Sequence, residues 1–330
     1  MPSNAPLILF WTRWFNRPVD IAAIAQCAVP VEWTNDRRRL AEADAVVFHL
    51  PNYREIGDAR KYPGQLWVAW SMESVVNYPM MADAAFMRHF DITMTYETGT
   101  DIWTPYLPDA DWWEAARRAP MPLKYESAPA VHFQSSSFNK SGRDTFITEL
   151  SRHIAVDCYG RYRPNREIAS PDLGRQTKLE TIGRYPFCLA LENSIAPDYV
   201  TEKMFDPLAA GTVPVYLGAP NAAAFVPDGS YIDAASFGTS AELAAYLRYL
   251  AETPQAYEAY FDWRSKPLPE RLTRQLELTA SRPENRLAEL VRQRLSLRAG
   301  PPTGRPYLPL GFKRFLSTRL RRLSGKFHER

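Results

Sequence analysis

The residues with the clearest chemical potential lie between positions 187 and 218: Phe-Cys-Leu-Ala-Leu-Glu-Asn-Ser-Ile-Ala-Pro-Asp-Tyr-Val-Thr-Glu-Lys-Met-Phe-Asp-Pro-Leu-Ala-Ala-Gly-Thr-Val-Pro-Val-Tyr-Leu-Gly. An apolar run, Phe187 to Leu191, stops at Glu192-Asn193-Ser194. Asp198 or Thr201 can then cap a helix whose first turn holds Glu202 and Lys203, and Gly211 suits a left-handed helix end. A helix N-terminus attracts anions through its dipole and its free N–H groups. A lysine there runs against the usual charge preference, and a neighbouring anion would relieve that conflict. The pattern therefore fits an anionic ligand held at the carboxyl end of a strand, where open α/β sheets collect ligands. A plain strand-helix-strand unit with a salt-bridged helix end accounts for the same residues equally well.

The order and spacing of this segment resemble the signature of the α-1,3/4-fucosyltransferases, glycosyltransferase family 10: Phe-x-Leu-x-x-Glu-Asn-Ser, then Tyr-Val-Thr-Glu-Lys, then Ala-Gly-x-Val-Pro-Val-x-Leu-Gly. The resemblance continues more weakly over most of residues 45–262. Carried over by position, it implies that Tyr199, Glu202 and Lys203 contact GDP-fucose. Lys203 would face the diphosphate, and Glu202 would accept from ribose or base hydroxyl or amine groups. Glu192 and Asn193, at the same strand end, would shape the pocket. In the stretch from Gln134 to Arg143, Ser135 and Arg143 match the family's serine and the arginine that follows it, while Ser136 stands where asparagine is usual. Arg143 is implied as a clamp on the diphosphate, through its planar fork of donors. Val156-Asp157-Cys158-Tyr159-Gly160 resembles a strand end of the same family and serves as a fold marker. Trp67 to Ser74 is similar to the family's segment ending in Glu-Ser-Pro, with Val75 in place of the proline. The matching glutamate, the family's proposed general base, is Glu73. Tyr96, Asp101-Ile102 and Pro105-Tyr106 echo a further family pattern in which Glu97 replaces a common arginine.

The implied reaction moves L-fucose from GDP-fucose to a hydroxyl of a glycan acceptor with inversion, in the family's usual case α-1,3 to the GlcNAc of an N-acetyllactosamine-type unit. Such a displacement needs a carboxylate to take the hydroxyl proton. It also needs fixed positive groups against the leaving diphosphate. Glu73 is the expected base, and Arg143 and Lys203 are the expected cations. No cofactor is required, although a divalent cation could stimulate turnover by screening phosphate charge. No metal site is expected: the histidines at 49, 89, 132, 153 and 328 lack ligand spacing, and Asp109-Ala-Asp111 reads as a solvated loop.

The elements that must position these residues are legible as periodicity. Short apolar segments at Leu7–Trp11, Ala45–His49, Leu66–Trp70 and Ile92–Tyr96 read as strands, as do Ala130–Gln134, Val156–Tyr159, Phe187–Leu191 and Val213–Leu217. Helical stripes at Ser141–Ile154, Tyr199–Ala210 and Ser240–Glu252 separate members of the second series. Strands alternating with helices predict parallel α/β sheets, and the resemblance implies two Rossmann-like domains facing a cleft, the GT-B arrangement. The expected division is an acceptor-binding domain at 1–120, a donor-binding domain at 121–298, and a linker and tail at 299–330. Five prolines between Pro105 and Pro129 predict an irregular interdomain connection, and Pro301, Pro302, Pro306 and Pro309 a second break.

The chain has 330 residues with a net charge of +3. Residues 312–330 alone carry seven Lys/Arg and one acid, a net of +6, so the rest sums to −3. The acidic body argues against nucleic acid as a partner. The tail sets Phe312, Phe315, Leu316, Leu320, Leu323 and Phe327 on a helical stripe flanked by basic residues, which suits an anionic membrane surface. No apolar run is long enough to span a bilayer. The first ten residues lack secretory features, and the scattered Cys27, Cys158 and Cys188 make no disulfide framework. The expected setting is cytoplasmic, peripheral on the inner face of the membrane. The competing readings are a GT-B glycosyltransferase with another nucleotide-sugar donor, a degenerate relative that binds nucleotide or glycan without turnover, and a surface adaptor led by the tail.

Overall fold

The computed structural model describes residues 5–57 and 59–309. The chain divides into two compact units, Met1–Thr104 with Ser281–Arg330, and Pro105–Ala280. Each unit is built on one parallel sheet, so the α/β class expected from the sequence, with two Rossmann-like units, is what the chain adopts.

The first sheet contains β1 (Leu7–Phe10), β2 (Glu32–Thr34), β3 (Ala45–His49), β4 (Leu66–Ser71), β5 (Ile92–Thr95) and β6 (Ile102–Trp103), in the order β2-β1-β3-β4-β5-β6. Alternate residues feed two cores, as the period of a strand requires. Leu7, Leu9, Val46, Phe48 and Trp67 pack on one face. Ile8, Phe10, Val47, Val68 and Ile92 pack on the other. The second face is completed from far along the chain by helix Pro283–Ser296, which buries Leu287, Ala288 and Val291. Pro283 opens that helix, where its missing N–H is no loss.

The second sheet contains β7 (Ala130–Phe133), β8 (Val156–Tyr159), β9 (Phe187–Leu191), β10 (Val213–Leu217) and β11 (Ile232–Asp233), in the order β11-β10-β9-β7-β8. Helices Arg143–Leu150, Glu202–Ala209 and Ser240–Glu252 occupy three stretches read as helical in the sequence. Leu150 and Ile154 are buried from the first of these stretches, with Phe146 and Ile147 packed partly against the same core. Gly211 ends the second at φ 62°, in the left-handed region.

Three features differ from the sequence expectation. The proline-rich stretch from Pro105 is not wholly irregular: Asp109 caps helix Ala110–Arg118 by accepting from the Trp112 N–H at 2.8 Å. The Asp-x-Asp pair is thus a helix start, not a solvated loop, with Asp111 in the first turn. Trp113 of this helix is buried edge-on against Phe205 and Trp263, which ties the stretch to the second unit. The divisions consequently fall at Thr104/Pro105 and Ala280/Ser281, where the sequence placed them after 120 and 298. The basic stripe of 312–330 lies outside the described residues. Among the described residues, no helix is long and apolar enough to cross a membrane.

Candidate functional site

In the second sheet the chain runs from β7 outward to β8, and from β9 outward the other way to β10 and β11. The order therefore reverses between β7 and β9, which are paired in parallel through Ala130↔Phe187 and Val131↔Cys188. Such a switch point leaves a crevice beyond the carboxyl ends of the strands. The loops that meet there are residues 134–142 and 192–201, and each leads into a helix N-terminus, at Arg143 and Glu202. The two loops are stitched together. The Lys140 N–H donates to the Asn193 carbonyl at 2.7 Å. Ser141 Oγ donates to the Glu192 carbonyl at 2.6 Å.

Arg143 is buried, and its guanidinium is held by backbone carbonyls: Nη2 donates to Ser136 at 3.1 Å and Phe138 at 2.8 Å, and Nη1 to Leu191 at 3.4 Å. Its Nε has no hydrogen-bond partner. Burial lowers its pKa, against the opposing charges of Asp144 and Glu192. The side chain is not an ordinary solvent-facing helix arginine. It is a cation retained at the start of helix Arg143–Leu150, with no direct carboxylate salt bridge among the described residues.

Glu192 is fully buried. Its Oε1 accepts from the Thr201 N–H at 2.8 Å and its Oε2 from Thr201 Oγ1 at 2.9 Å. Burial raises its pKa, although Lys203 pulls the other way. The Lys203 ammonium sits 3.4 Å from Glu192, 2.9 Å from Glu202 and 2.9 Å from Thr201 Oγ1. Burial opposes its charge, but Glu192 and Glu202 prevail and push its pKa up to about 12. Burial likewise opposes the charge of Glu202, and Lys203 holds that carboxyl below its ordinary range. Lysine at a helix start is thus compensated by two carboxylates, one buried behind it and one half-exposed beside it. Thr201 caps the helix and links Glu192 to Lys203.

The structure also gathers Tyr199 and Asn193. Tyr199 is buried edge-on to Tyr106 at 6.1 Å, and its carbonyl accepts from Tyr216 Oη at 3.2 Å. Asn193 Oδ1 accepts from Ser194 Oγ at 3.2 Å. Ser135 is exposed on the first loop. Glu73 belongs to the first unit. It follows β4 on the carboxyl edge of that sheet, half-buried, with its backbone pinned by Ser71: the Glu73 N–H donates to Ser71 Oγ at 3.1 Å and the hydroxyl donates back to the Glu73 carbonyl at 3.1 Å. The seven residues nominated for the second unit therefore share one end of one sheet, and Glu73 stands at the corresponding edge of the other.

Sequence reasoning missed several supports. Asp198 does not cap the helix. It adopts a left-handed φ of 62°, locked by Asn221, whose Oδ1 accepts from the Asp198 N–H at 2.9 Å and whose Nδ2 donates to Asp198 Oδ1 at 2.7 Å. Under the first loop, the ring of buried His132 reaches the Leu189 carbonyl at 2.9 Å and Gln134 Oε1 at 3.1 Å, and Gln134 Nε2 in turn donates to Ser136 and Asp144. Gly160 lets a backbone come near, and that backbone is the Gln134 carbonyl. Asp157, in the same strand end, is buried and bonded by Arg166 and Tyr185 Oη.

A family model described as glycosyltransferase family 10 (fucosyltransferase) C-term matches residues 123–292, and one described as fucosyltransferase, N-terminal, matches residues 3–107. The chain belongs to glycosyltransferase family 10. As a family 10 fucosyltransferase it is 34% identical over 281 residues to the human 4-galactosyl-N-acetylglucosaminide 3-alpha-L-fucosyltransferase FUT6, a match covering 81% of this chain and 75% of that protein. It is 33% identical over 275 residues to the 3-galactosyl-N-acetylglucosaminide 4-alpha-L-fucosyltransferase FUT3 of Pan troglodytes, covering 80% and 71%. A crystal structure of an alpha1,3-fucosyltransferase with GDP-fucose aligns at a TM-score of 0.59 and 15% identity, covering 92% of this chain and 95% of that one, a likeness of fold. This fucosyltransferase thus has the two-sheet GT-B fold.

Proposed function

We propose that this fucosyltransferase moves L-fucose from GDP-fucose to a hydroxyl of a glycan acceptor with inversion at the anomeric carbon, α-1,3 to the GlcNAc of an N-acetyllactosamine-type unit. The observation that supports it best is the cluster of Arg143, Glu192 and Lys203 at the switch point of the second sheet, between two helix N-termini. Two buried or half-buried cations beside two helix N-termini at one crevice suit a nucleotide diphosphate. As the leaving group gathers charge, each such preorganised cation can contribute on the order of 3 kcal/mol. Glu192 orders Thr201 and Lys203, and Tyr199, Asn193, Ser135 and Glu202 line the donor site. Glu73 takes the proton of the attacking acceptor hydroxyl. The scheme needs no cofactor, and a divalent cation would act only by screening phosphate. The enzyme would work on the cytoplasmic side, held to an anionic membrane by residues 312–330.

The test is GDP release from GDP-fucose with and without β-galactosyl-N-acetylglucosamine acceptors, comparing the wild type with Glu73→Ala and offering other nucleotide sugars in competition. Acceptor-dependent release that collapses in the variant, with GDP binding retained, supports the reaction and the base. Turnover that survives moves the base elsewhere, and absence of both turnover and GDP binding overturns the reading.

A further inference from the structure

The chain of hydrogen bonds beneath the first loop is complete only with a proton that the transfer reaction does not use. His132, in β7, is buried, and both its ring nitrogens face acceptors: Nδ1 lies 2.9 Å from the Leu189 carbonyl, and Nε2 lies 3.1 Å from Gln134 Oε1. A carbonyl has no proton to give, so Nδ1 carries one. Gln134 Nε2 spends its two protons on the Ser136 carbonyl at 2.9 Å and on Asp144 Oδ1 at 3.1 Å, so its oxygen is the atom that faces His132. Turning the amide over would set that oxygen against a carbonyl and a carboxylate at once. Asp144 is ionised: burial opposes its charge, but Gln134 and Tyr162 hold its carboxyl below the ordinary range. Nε2 must therefore carry a proton as well, and the arrangement is satisfied only when the ring is an imidazolium.

The surroundings of the ring pull both ways. Burial lowers its pKa, the bonds to Leu189 and Gln134 oppose that, and Arg143 and Lys203 add to the lowering. Asp144 acts on the ring through the Gln134 amide. On β8 its register partner is Cys158, whose thiol is pushed by burial up to about 11 and so stays neutral. At the end of β9, Glu192 is committed to Thr201 and Lys203. The proton is thus loosely held, and the two cations that loosen it are those expected to meet the diphosphate. What it holds is the loop. The Ser136 carbonyl accepts from Gln134 Nε2 and also from Arg143 Nη2 at 3.1 Å, so His132, Gln134, Ser136 and Arg143 form one line of bonds. Without the Nε2 proton, two lone pairs face each other and Gln134 loses its fixed orientation. We infer that His132 is a positioning residue for the donor loop, and that binding of the nucleotide diphosphate is coupled to uptake of a proton on its ring. The negative charge of the diphosphate cancels the repulsion from Arg143 and Lys203, which tightens the hold of the ring on its proton. The imidazolium in turn fixes Gln134, Ser136 and the fork of Arg143. The inference rests on the fucosyltransferase reading for the place of the diphosphate and adds the proton that accompanies it.

The experiment is calorimetric titration of the full chain with GDP-fucose, without acceptor, near neutral pH in buffers of different ionisation enthalpy. GDP-fucose is the probe because its diphosphate has no group that titrates near neutrality, whereas the terminal phosphate of GDP titrates at about 6. The dependence of the heat on buffer should show uptake of about half a proton, and Kd should rise about three- to tenfold between about pH 6 and pH 8. His132→Gln should remove both effects and leave an affinity nearly independent of pH. His153→Gln, at an exposed histidine, should change neither. Nitrogen NMR of the histidine rings reads the same event in the wild type, without a variant: on saturation with GDP-fucose the His132 ring should pass from the neutral to the doubly protonated form. Binding without proton uptake, a ring spectrum unchanged by GDP-fucose, or uptake that survives His132→Gln overturns the coupling and leaves the donor reading intact. No binding of GDP-fucose at all overturns the donor reading, and the coupling with it.

Discussion

Lys203 gives the site its most testable number. Its pKa stands at about 12 against an ordinary 10.5. At 1.36 kcal/mol per unit, the folded surroundings favour the charged form by about 2 kcal/mol net of burial. A raised value means that this stabilisation is fully present below 10.5 and is lost as pH rises through about 12, so all of it operates at pH 7. The Coulombic pull of Glu192 on Lys203 is stronger than that of Glu202. A double-mutant cycle of Glu192→Gln and Lys203→Met, followed by urea denaturation at pH 7, should therefore show a coupling of about 1–2 kcal/mol. The double variant would be that much more stable than the sum of the single losses predicts, because Lys203→Met alone strands a buried carboxylate. Glu192, whose value is also raised, acts in the same sense over a lower range: its contribution is full below its ordinary 4.5 and falls as pH rises through the folded value, so Glu192→Gln should flatten that part of the stability profile. Losses that add to within about 0.5 kcal/mol would refute the claim that the two charges form one unit.

Arg143→Lys keeps the charge but not the fork that reaches three carbonyls. It should lower kcat/KM for GDP-fucose by about 10²-fold in steady-state assays, with the acceptor KM unchanged. Gly160→Ala places a Cβ on the Gln134 carbonyl at a φ of 105° and should cost at least about 1–2 kcal/mol in urea denaturation, with loosened GDP binding because the loop above it shifts. His49 is fully buried, and burial lowers its pKa to about 4 despite its bond to Asn52. A depressed value means stability present above about 6.5 and lost as pH falls through 4. Unfolding curves across that window should show about 3 kcal/mol of loss, which His49→Gln removes.

The eight strands read from the sequence are those with mostly apolar runs of four residues or more, because strands largely buried on both faces carry their own label. The strands that were missed, β2, β6 and β11, have three residues or fewer, and Glu32 and Asp233 in them are exposed. Helix Pro283–Ser296 was missed although Leu287 and Val291 recur at helical spacing, and its partner sheet lies far away in sequence. At the site, the motif residues were legible through order and spacing. Their electrostatic arrangement was not, since nothing local reveals that Glu192 sits behind Lys203 or that Asn221 completes the turn at Asp198. A left-handed aspartate leaves no trace in composition.

The return of helix Pro283–Ser296 to the first sheet also sets an order for synthesis on the ribosome. The second unit is one unbroken stretch, Pro105–Ala280, and owns every residue of its core as soon as that stretch has emerged. The first unit begins earlier but ends later: the core that holds Ile8, Val47 and Val68 stays incomplete until Leu287, Ala288 and Val291 are made. At about 5–20 residues per second, that wait after Thr104 lasts on the order of ten to forty seconds. The half of the enzyme that is translated first is the half that matures last. During the interval its apolar sheet face is the nascent chain's most natural docking surface for a chaperone.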